Sequence, residues 1–197
     1  PEQIILYGST GSNYGKVTDI CTEESPLNPL SLYGETKTEA EHMLMARGNV
    51  IAYRFATAFG VSPRLRLDLL INDFTNKCLR DGYLVVYEKH FRRTFIHVTD
   101  IARAIVHVTN REICQGHRVF NVGNESLNYT KEDIVKLLQK RLKFLVHFAD
   151  IGKDVDRRDY EVDYSRIRGT GFQTQIDIES GLQELIDGLA IVRMKNP

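Results

Sequence analysis

The chain carries no net charge: its 26 Lys and Arg are matched by 26 Asp and Glu among 197 residues. It therefore has no basic field to draw in nucleic acid or an anionic membrane. It also lacks any apolar run near the roughly 18 residues that a spanning helix needs. The amino end, Pro1-Glu2-Gln3, has no basic n-region or cleavage signature. The expectation is a cytoplasmic protein with neither nucleic-acid nor membrane partners. Cysteine is scarce, and Cys21, Cys78 and Cys114 are isolated and odd in number. That argues against a disulfide framework or a Cys-x-x-Cys metal knuckle and leaves buried, inert thiols. There is no internal repeat and no low-complexity tract. What is present is an ordinary globular composition, 42% hydrophobic and 26% charged, with apolar mass enough for a core.

Helix and strand signals alternate along the chain. Gln3 to Tyr7 is a short apolar run ending in Gly8-Ser9-Thr10-Gly11, the pattern of a buried parallel strand followed by a tight loop. Leu30 to Met45, just after Pro29, is rich in helix formers, with Glu35, Lys37, Glu39 and Glu41 at polar positions. Asn49 to Phe55 reads as a second strand and completes a βαβ unit. Helical spacing follows over Leu67 to Arg80, then strand signals over Tyr83 to Tyr87 and Thr94 to Val98. Next come a helix from Ile101 to Thr109 with Asp100 as its cap, a strand from Val119 to Val122, and a helix opening on the capping-box-like Thr130-Lys131-Glu132-Asp133. Beyond about residue 124 the pattern loosens into a strand-like Phe144 to Phe148, a charged stretch Lys153 to Asp163 and a last helix near Ile178 to Val192. The fold class is α/β.

The sharpest chemical feature is Tyr33-Gly34-Glu35-Thr36-Lys37. Residues four apart on a helix leave the same face about one turn apart. A free phenol is protonated at neutral pH, and an ammonium held beside it favours the phenolate, so this spacing suits a tuned base. By itself the pair also fits a solvated helix face. Upstream, the first strand ends in Gly8-Ser9-Thr10-Gly11-Ser12-Asn13-Tyr14-Gly15. Its hydroxyls fall at the carboxyl end of a strand, where open α/β sheets bind ligands.

With Thr10 four residues before Tyr14-Gly15, and Tyr33 and Lys37 beyond, the chain resembles the extended short-chain dehydrogenase/reductase family, in its nucleotide-sugar epimerase and dehydratase branch. Five further segments are similar to that family in the same order: Glu24 to Gly34, Arg54 to Gly60, Arg93 to Ala102, Phe120 to Gly123 and Asp156 to Tyr160. The resemblance implies the C-terminal part of a doubly wound Rossmann-type parallel sheet, over 1–63 and 93–123, with a smaller α+β nucleotide-sugar module over 64–92 and 124–197. It implies NAD or NADP as cofactor, a nucleotide-diphosphate sugar as substrate, and a homodimer formed through the Tyr/Lys helix and its neighbour. Thr10, Tyr33 and Lys37 would be catalytic, and Ser9, Tyr33 and Lys37 would meet the cofactor. Thr10, Thr57, Asn72, Arg93 and Arg158 would meet the substrate, the two arginines through its diphosphate. Arg93 and Arg158 on their own also fit solvated charges, and Asn72 fits a solvent-facing position equally well.

Three departures from the family pattern matter. Its sugar dehydratases carry Asp-Glu after the catalytic Ser or Thr, where this chain has Gly11-Ser12, so epimerisation is favoured over dehydration. Thr57 stands where the family often has Asn. The glycine-rich phosphate turn is absent: Gly8, Gly11 and Gly15 imitate it, but Lys16-Val17-Thr18-Asp19 and a proline-bearing loop follow instead of a helix. The expectation is a catalytic loop near the start of a chain that begins part-way into the family fold, without the dinucleotide-binding half. A 4-keto reductase is the nearest alternative, and a catalytically silent binding module is another. A serine hydrolase using the Gly8-Ser9-Thr10-Gly11 turn with His97 lacks both Gly-x-Ser-x-Gly and the following helix. His97 and His107 are spaced for packing and capping, and no metal is expected.

Overall fold

The computed structural model describes residues 3–17, 19–108, 116–149 and 161–195. Cys114, Arg158 and most of the charged Lys153 to Asp163 stretch lie outside them. The first strand, β1 (Ile5–Thr10), runs into a single 3-10 turn over Gly11–Tyr14. The first helix, α1 (Leu32–Met45), begins where Ser31 turns its hydroxyl onto the Gly34 N–H at 3.2 Å. This serine, not Pro29, sets the first turn, because its side chain satisfies an N–H that has no partner inside the helix.

Strand β2 (Val50–Phe55) follows, then β3 (Thr57–Phe59) and helix α2 (Leu70–Asp81). α2 starts three residues later than the apolar spacing predicts, since Leu69 is extended and Arg66 and Asp68 fork together in the preceding loop. Strands β4 (Tyr83–Tyr87) and β5 (Arg92–His97) lead to helix α3 (Val98–His107). Here the expectation of Asp100 as cap is corrected. The cap is His97, whose ring Nδ1 accepts from Thr99 N–H at 3.3 Å, which places Asp100 inside the first turn.

Strands β6 (Val119–Val122) and β7 (Asn128–Thr130) precede helix α4 (Lys131–Gln139), which opens on a true capping box between Thr130 and Asp133. Strand β8 (Leu145–Ala149) and helices α5 (Ser165–Gly169) and α6 (Ile178–Lys195) complete the described chain.

Among the described residues the strands form three small sheets. β1, β2 and β6 are parallel, with β2 central. Five of the six β2 residues are buried, which is why its sequence reads as a nearly continuous apolar run. β3 pairs parallel with β5, β5 pairs antiparallel with β7, and β4 pairs parallel with β8.

Two apolar clusters hold these layers. One joins Ile51, Tyr53, Ile96, Ala104, Phe120 and Val122 to Tyr164, Ile167 and Phe172. The other places Phe59, Phe95, Ile71 and Leu84 against Ile134 and Leu138 of α4 and Leu182, Leu185 and Leu189 of α6. The α6 leucines are thus core packing, as their helical spacing suggests. Cys21 and Cys78 are free and buried, and burial pushes their thiols up to about 11 and about 12, far from reactive thiolates.

Candidate functional site

α1 packs against β1 and β2 and brings Lys37 onto β1. Lys37 Nζ donates to the Gly8 carbonyl and stands 4.4 Å over the Tyr7 ring. The Tyr7 hydroxyl donates back to the Lys37 carbonyl at 3.1 Å. Burial, helped by the Glu41 charge, holds the Tyr7 phenol above its ordinary range, so it stays a neutral donor. Tyr33 lies in the first turn of α1 and is 58% exposed. Its hydroxyl is available to a ligand, while Lys37, one turn on, is fixed to β1.

Ser9 and Thr10 are neighbours on a strand, so their side chains leave opposite faces. The buried Thr10 hydroxyl accepts from Ser12 N–H at 3.2 Å and donates to Ser12 Oγ at 3.0 Å. It thereby caps the 3-10 turn. The Ser9 hydroxyl turns the other way and donates to Glu41 Oε2 at 2.5 Å. Asn13 Nδ2 donates to Ser9 Oγ at 3.0 Å and to Glu41 Oε2 at 3.3 Å. The turn from Gly8 to Gly15 does not cradle a phosphate. Residues 11–14 are all buried, and a Cβ on Gly15, whose φ is 77°, would fall 1.9 Å from the Asn28 carbonyl oxygen. The loop is packed against the approach to α1, with no helix amino terminus behind it.

Beside these residues lies a buried ion pair, Glu41 and Arg54, that sequence reasoning missed. Glu41 is 2% exposed and Arg54 6%, with an Arg54 Nη2 to Glu41 Oε1 distance of 2.6 Å. In the sequence Glu41 reads as one of the polar positions of this helix, yet it lies four residues beyond Lys37 and eight beyond Tyr33, a stripe visible in the sequence. Arg54 also donates to the Tyr14 hydroxyl at 3.0 Å, and that hydroxyl donates to Asn121 Oδ1 at 2.6 Å. Burial pushes the Tyr14 phenol up to about 12 against the opposing pull of Arg54.

The other residues singled out in the sequence sit farther along the chain. Thr57 opens β3, half-buried, in register with Phe95. Asn72 is buried and braces the loop before α2, its Oδ1 accepting from Gly60 N–H at 3.1 Å and its Nδ2 donating to the Arg66 carbonyl at 3.0 Å. Arg93 is buried on β5 and donates to the Arg92 carbonyl at 3.2 Å. Arg158 lies outside the described residues. His97 caps α3, and His107 Nε2 lies 2.9 Å from the Thr170 hydroxyl.

The family model of the NAD dependent epimerase/dehydratase family matches residues 3–123, more than half of the chain. The chain belongs to that family. Among curated family relatives, the dTDP-glucose 4,6-dehydratase of Streptomyces griseus is 31% identical over 185 residues, covering 88% of this chain and 55% of the relative. The uncharacterized UDP-glucose epimerase YtcB of Bacillus subtilis is 27% identical over 156 residues, covering 75% and 48%. The chain thus spans about half the length of these relatives. Among solved structures, MoeE5 in complex with UDP-glucuronic acid and NAD superposes with a TM-score of 0.80 at 25% identity, covering 96% of this chain and 66% of MoeE5. The dTDP-glucose 4,6-dehydratase of Bacillus anthracis in complex with NAD gives 0.77 at 26% identity, covering 98% and 63%. The α/β architecture is therefore the Rossmann-type fold of these epimerases and dehydratases.

Proposed function

We propose that this chain carries the catalytic base and the substrate side of an NAD- or NADP-dependent epimerase of nucleotide-diphosphate sugars. The observation that carries the reading is the α1 stripe, with an exposed Tyr33 phenol one turn from a Lys37 ammonium fixed at the carboxyl end of β1. Membership of the family, and the NAD and UDP-sugar complexes of structural neighbours such as MoeE5, support it.

The described residues fit one end of a dinucleotide. Tyr33 and Lys37 offer a phenol and an ammonium to a nicotinamide ribose, whereas no glycine turn followed by a helix appears among the described residues for the pyrophosphate. NAD, when bound, supplies the hydride acceptor and donor. In this reading Tyr33 takes the proton of a sugar hydroxyl and later returns it. Lys37 stabilises the negative charge that Tyr33 carries as base, and the Thr10 hydroxyl faces the reacting oxygen. Thr10 would have to turn its donor from Ser12 Oγ toward substrate, a rotation about one bond. Arg93 and Arg158 would hold the diphosphate, remote binding energy that orients the sugar. Gly11-Ser12, buried within the turn, offers no acid and base for loss of water. Leu32 and Met43, both strongly exposed on α1 and eleven residues apart, support a homodimer in which this helix meets its copy.

The test is cofactor stoichiometry in the complete NAD-loaded enzyme. Sugar conversion without net consumption of cofactor is the expected result, and one equivalent consumed per turnover would make the enzyme a reductase.

A further inference from the structure

We propose that Glu41 and Arg54 are positioning residues whose buried pair sets α1, and with it Tyr33 and Lys37, against the turn that carries Thr10. This rests on the catalytic reading of Tyr33, Lys37 and Thr10 given above.

The pair stands in a row of polar side chains that crosses an otherwise apolar sheet. In the parallel register Ser9 on β1 lies opposite Arg54 on β2, and Arg54 lies opposite Asn121 on β6. In-register residues of parallel strands share a face. The rows on either side, Gly8–Tyr53–Phe120 and Thr10–Phe55–Val122, are mainly apolar. Glu41 reaches the polar row from α1, and Asn13 and Tyr14 reach it from the turn. All six side chains are at least nine-tenths buried.

Both Glu41 oxygens are fully used. Oε1 accepts from Arg54 Nη2 at 2.6 Å and Nε at 3.1 Å, while Oε2 accepts from Ser9 Oγ at 2.5 Å, Asn13 Nδ2 at 3.3 Å and Arg54 Nε at 3.3 Å. Arg54 Nη1 donates to the Tyr14 hydroxyl and the Glu23 carbonyl, each at 3.0 Å. One carboxylate thus ties the helix of Tyr33 and Lys37 to the strand end, to the turn and to β2.

A pair of this kind is a poor device for stability, because well-packed apolar residues in its place are often as good or better. Its directional bonds do what apolar contact cannot, which is to fix a spacing between elements rather than merely bring them together. The spacing at stake is the one between Tyr33 and Thr10. Displacing such groups by about 1 Å can cost on the order of a hundredfold in rate. Neither Glu41 nor Arg54 needs to touch substrate for this.

The decisive comparison is the complete NAD-loaded enzyme carrying the paired replacement Glu41→Leu/Arg54→Met, beside Tyr33→Phe. The expected result has three parts: a kcat lowered by about a hundredfold, a Kd for UDP-sugar by calorimetry within threefold of the parent, and faster amide hydrogen exchange confined to residues 8–14 and the matching turn of α1. A kcat within threefold of the parent, while Tyr33→Phe is inactive, would reduce the pair to a structural feature and overturn the proposal. If Tyr33→Phe is itself active, the catalytic reading fails, and exchange still decides the positioning: unchanged protection at residues 8–14 would refute it. Should the paired variant fail to fold, Arg54→Lys keeps a cation but loses the fork and is read by the same measures.

Discussion

Replacing Asp100 by alanine should release the segment that leads into α6. Asp100 is fully buried in the first turn of α3. Its Oδ1 accepts from Gln175 N–H, and its Oδ2 accepts from both Gln175 and Ile176 N–H, all at 3.0 Å. Arg103 Nη1 donates to Oδ1 at 2.6 Å. Alanine leaves two partly buried backbone donors without an acceptor, at about 1–3 kcal/mol each when no water replaces it. Arg103 is one-third exposed and can return to solvent, so its loss adds little. Together these give a destabilisation of about 3 kcal/mol, or roughly 6–12 °C in Tm for a chain of this size. Asp100→Asn keeps one acceptor oxygen and should lose about half as much. Urea unfolding with an unchanged slope would measure both. A loss under about 0.5 kcal/mol for Asp100→Ala, the range of ordinary surface changes, would show that the carboxylate does not anchor this segment.

Gly181 allows α6 to approach the second core, since a Cβ there would lie 2.5 Å from Phe59 Cε2 and 3.1 Å from His97 Cδ2. Gly181→Ala should therefore destabilise by about 1 kcal/mol, overpacking of about 1–3 kcal/mol outweighing the helix propensity gained, and a rise in Tm would contradict this close fit. Burial alone would raise the Glu125 carboxyl, but Arg168 Nη1, donating to Oε2 at 2.6 Å and Oε1 at 2.8 Å, with backbone donors that include Tyr164 N–H, brings it below its ordinary value of 4.5. A lowered folded value means the contribution is present above the unfolded value and lost as pH falls through the folded one. The stability advantage over Glu125→Gln should thus shrink as pH falls below the unfolded value of 4.5 and be lost once it passes the folded one, and parallel curves from pH 7 to 3 would refute the assignment.

Much of the fold was legible because its elements are locally self-consistent. β1, α1, β2, β4, β6 and α4 fall close to where apolar period, caps and breakers place them. β3 and β7, three residues each, are defined by pairing with β5 rather than by any pattern of their own. Asp100 misled because an Asp just before an apolar helix looks like a cap, whereas its true partners lie 75 residues away, beyond the reach of local pattern. Glu41 misled for a similar reason: a glutamate among charged neighbours reads as solvated, and only the placement of Arg54 on the adjacent strand shows why it is buried. The placement of Tyr33 and Lys37 one turn apart on α1 was legible because it depends only on spacing within one helix.

The most direct test of the central claim is turnover by Tyr33→Phe in the complete NAD-loaded enzyme, measured beside nucleotide-sugar binding. Tyr33 is largely exposed, so removing its hydroxyl should leave stability and sugar affinity nearly unchanged. Loss of the base should lower kcat by about a thousandfold. Turnover within a few-fold of the parent would contradict the assignment of Tyr33 as the base.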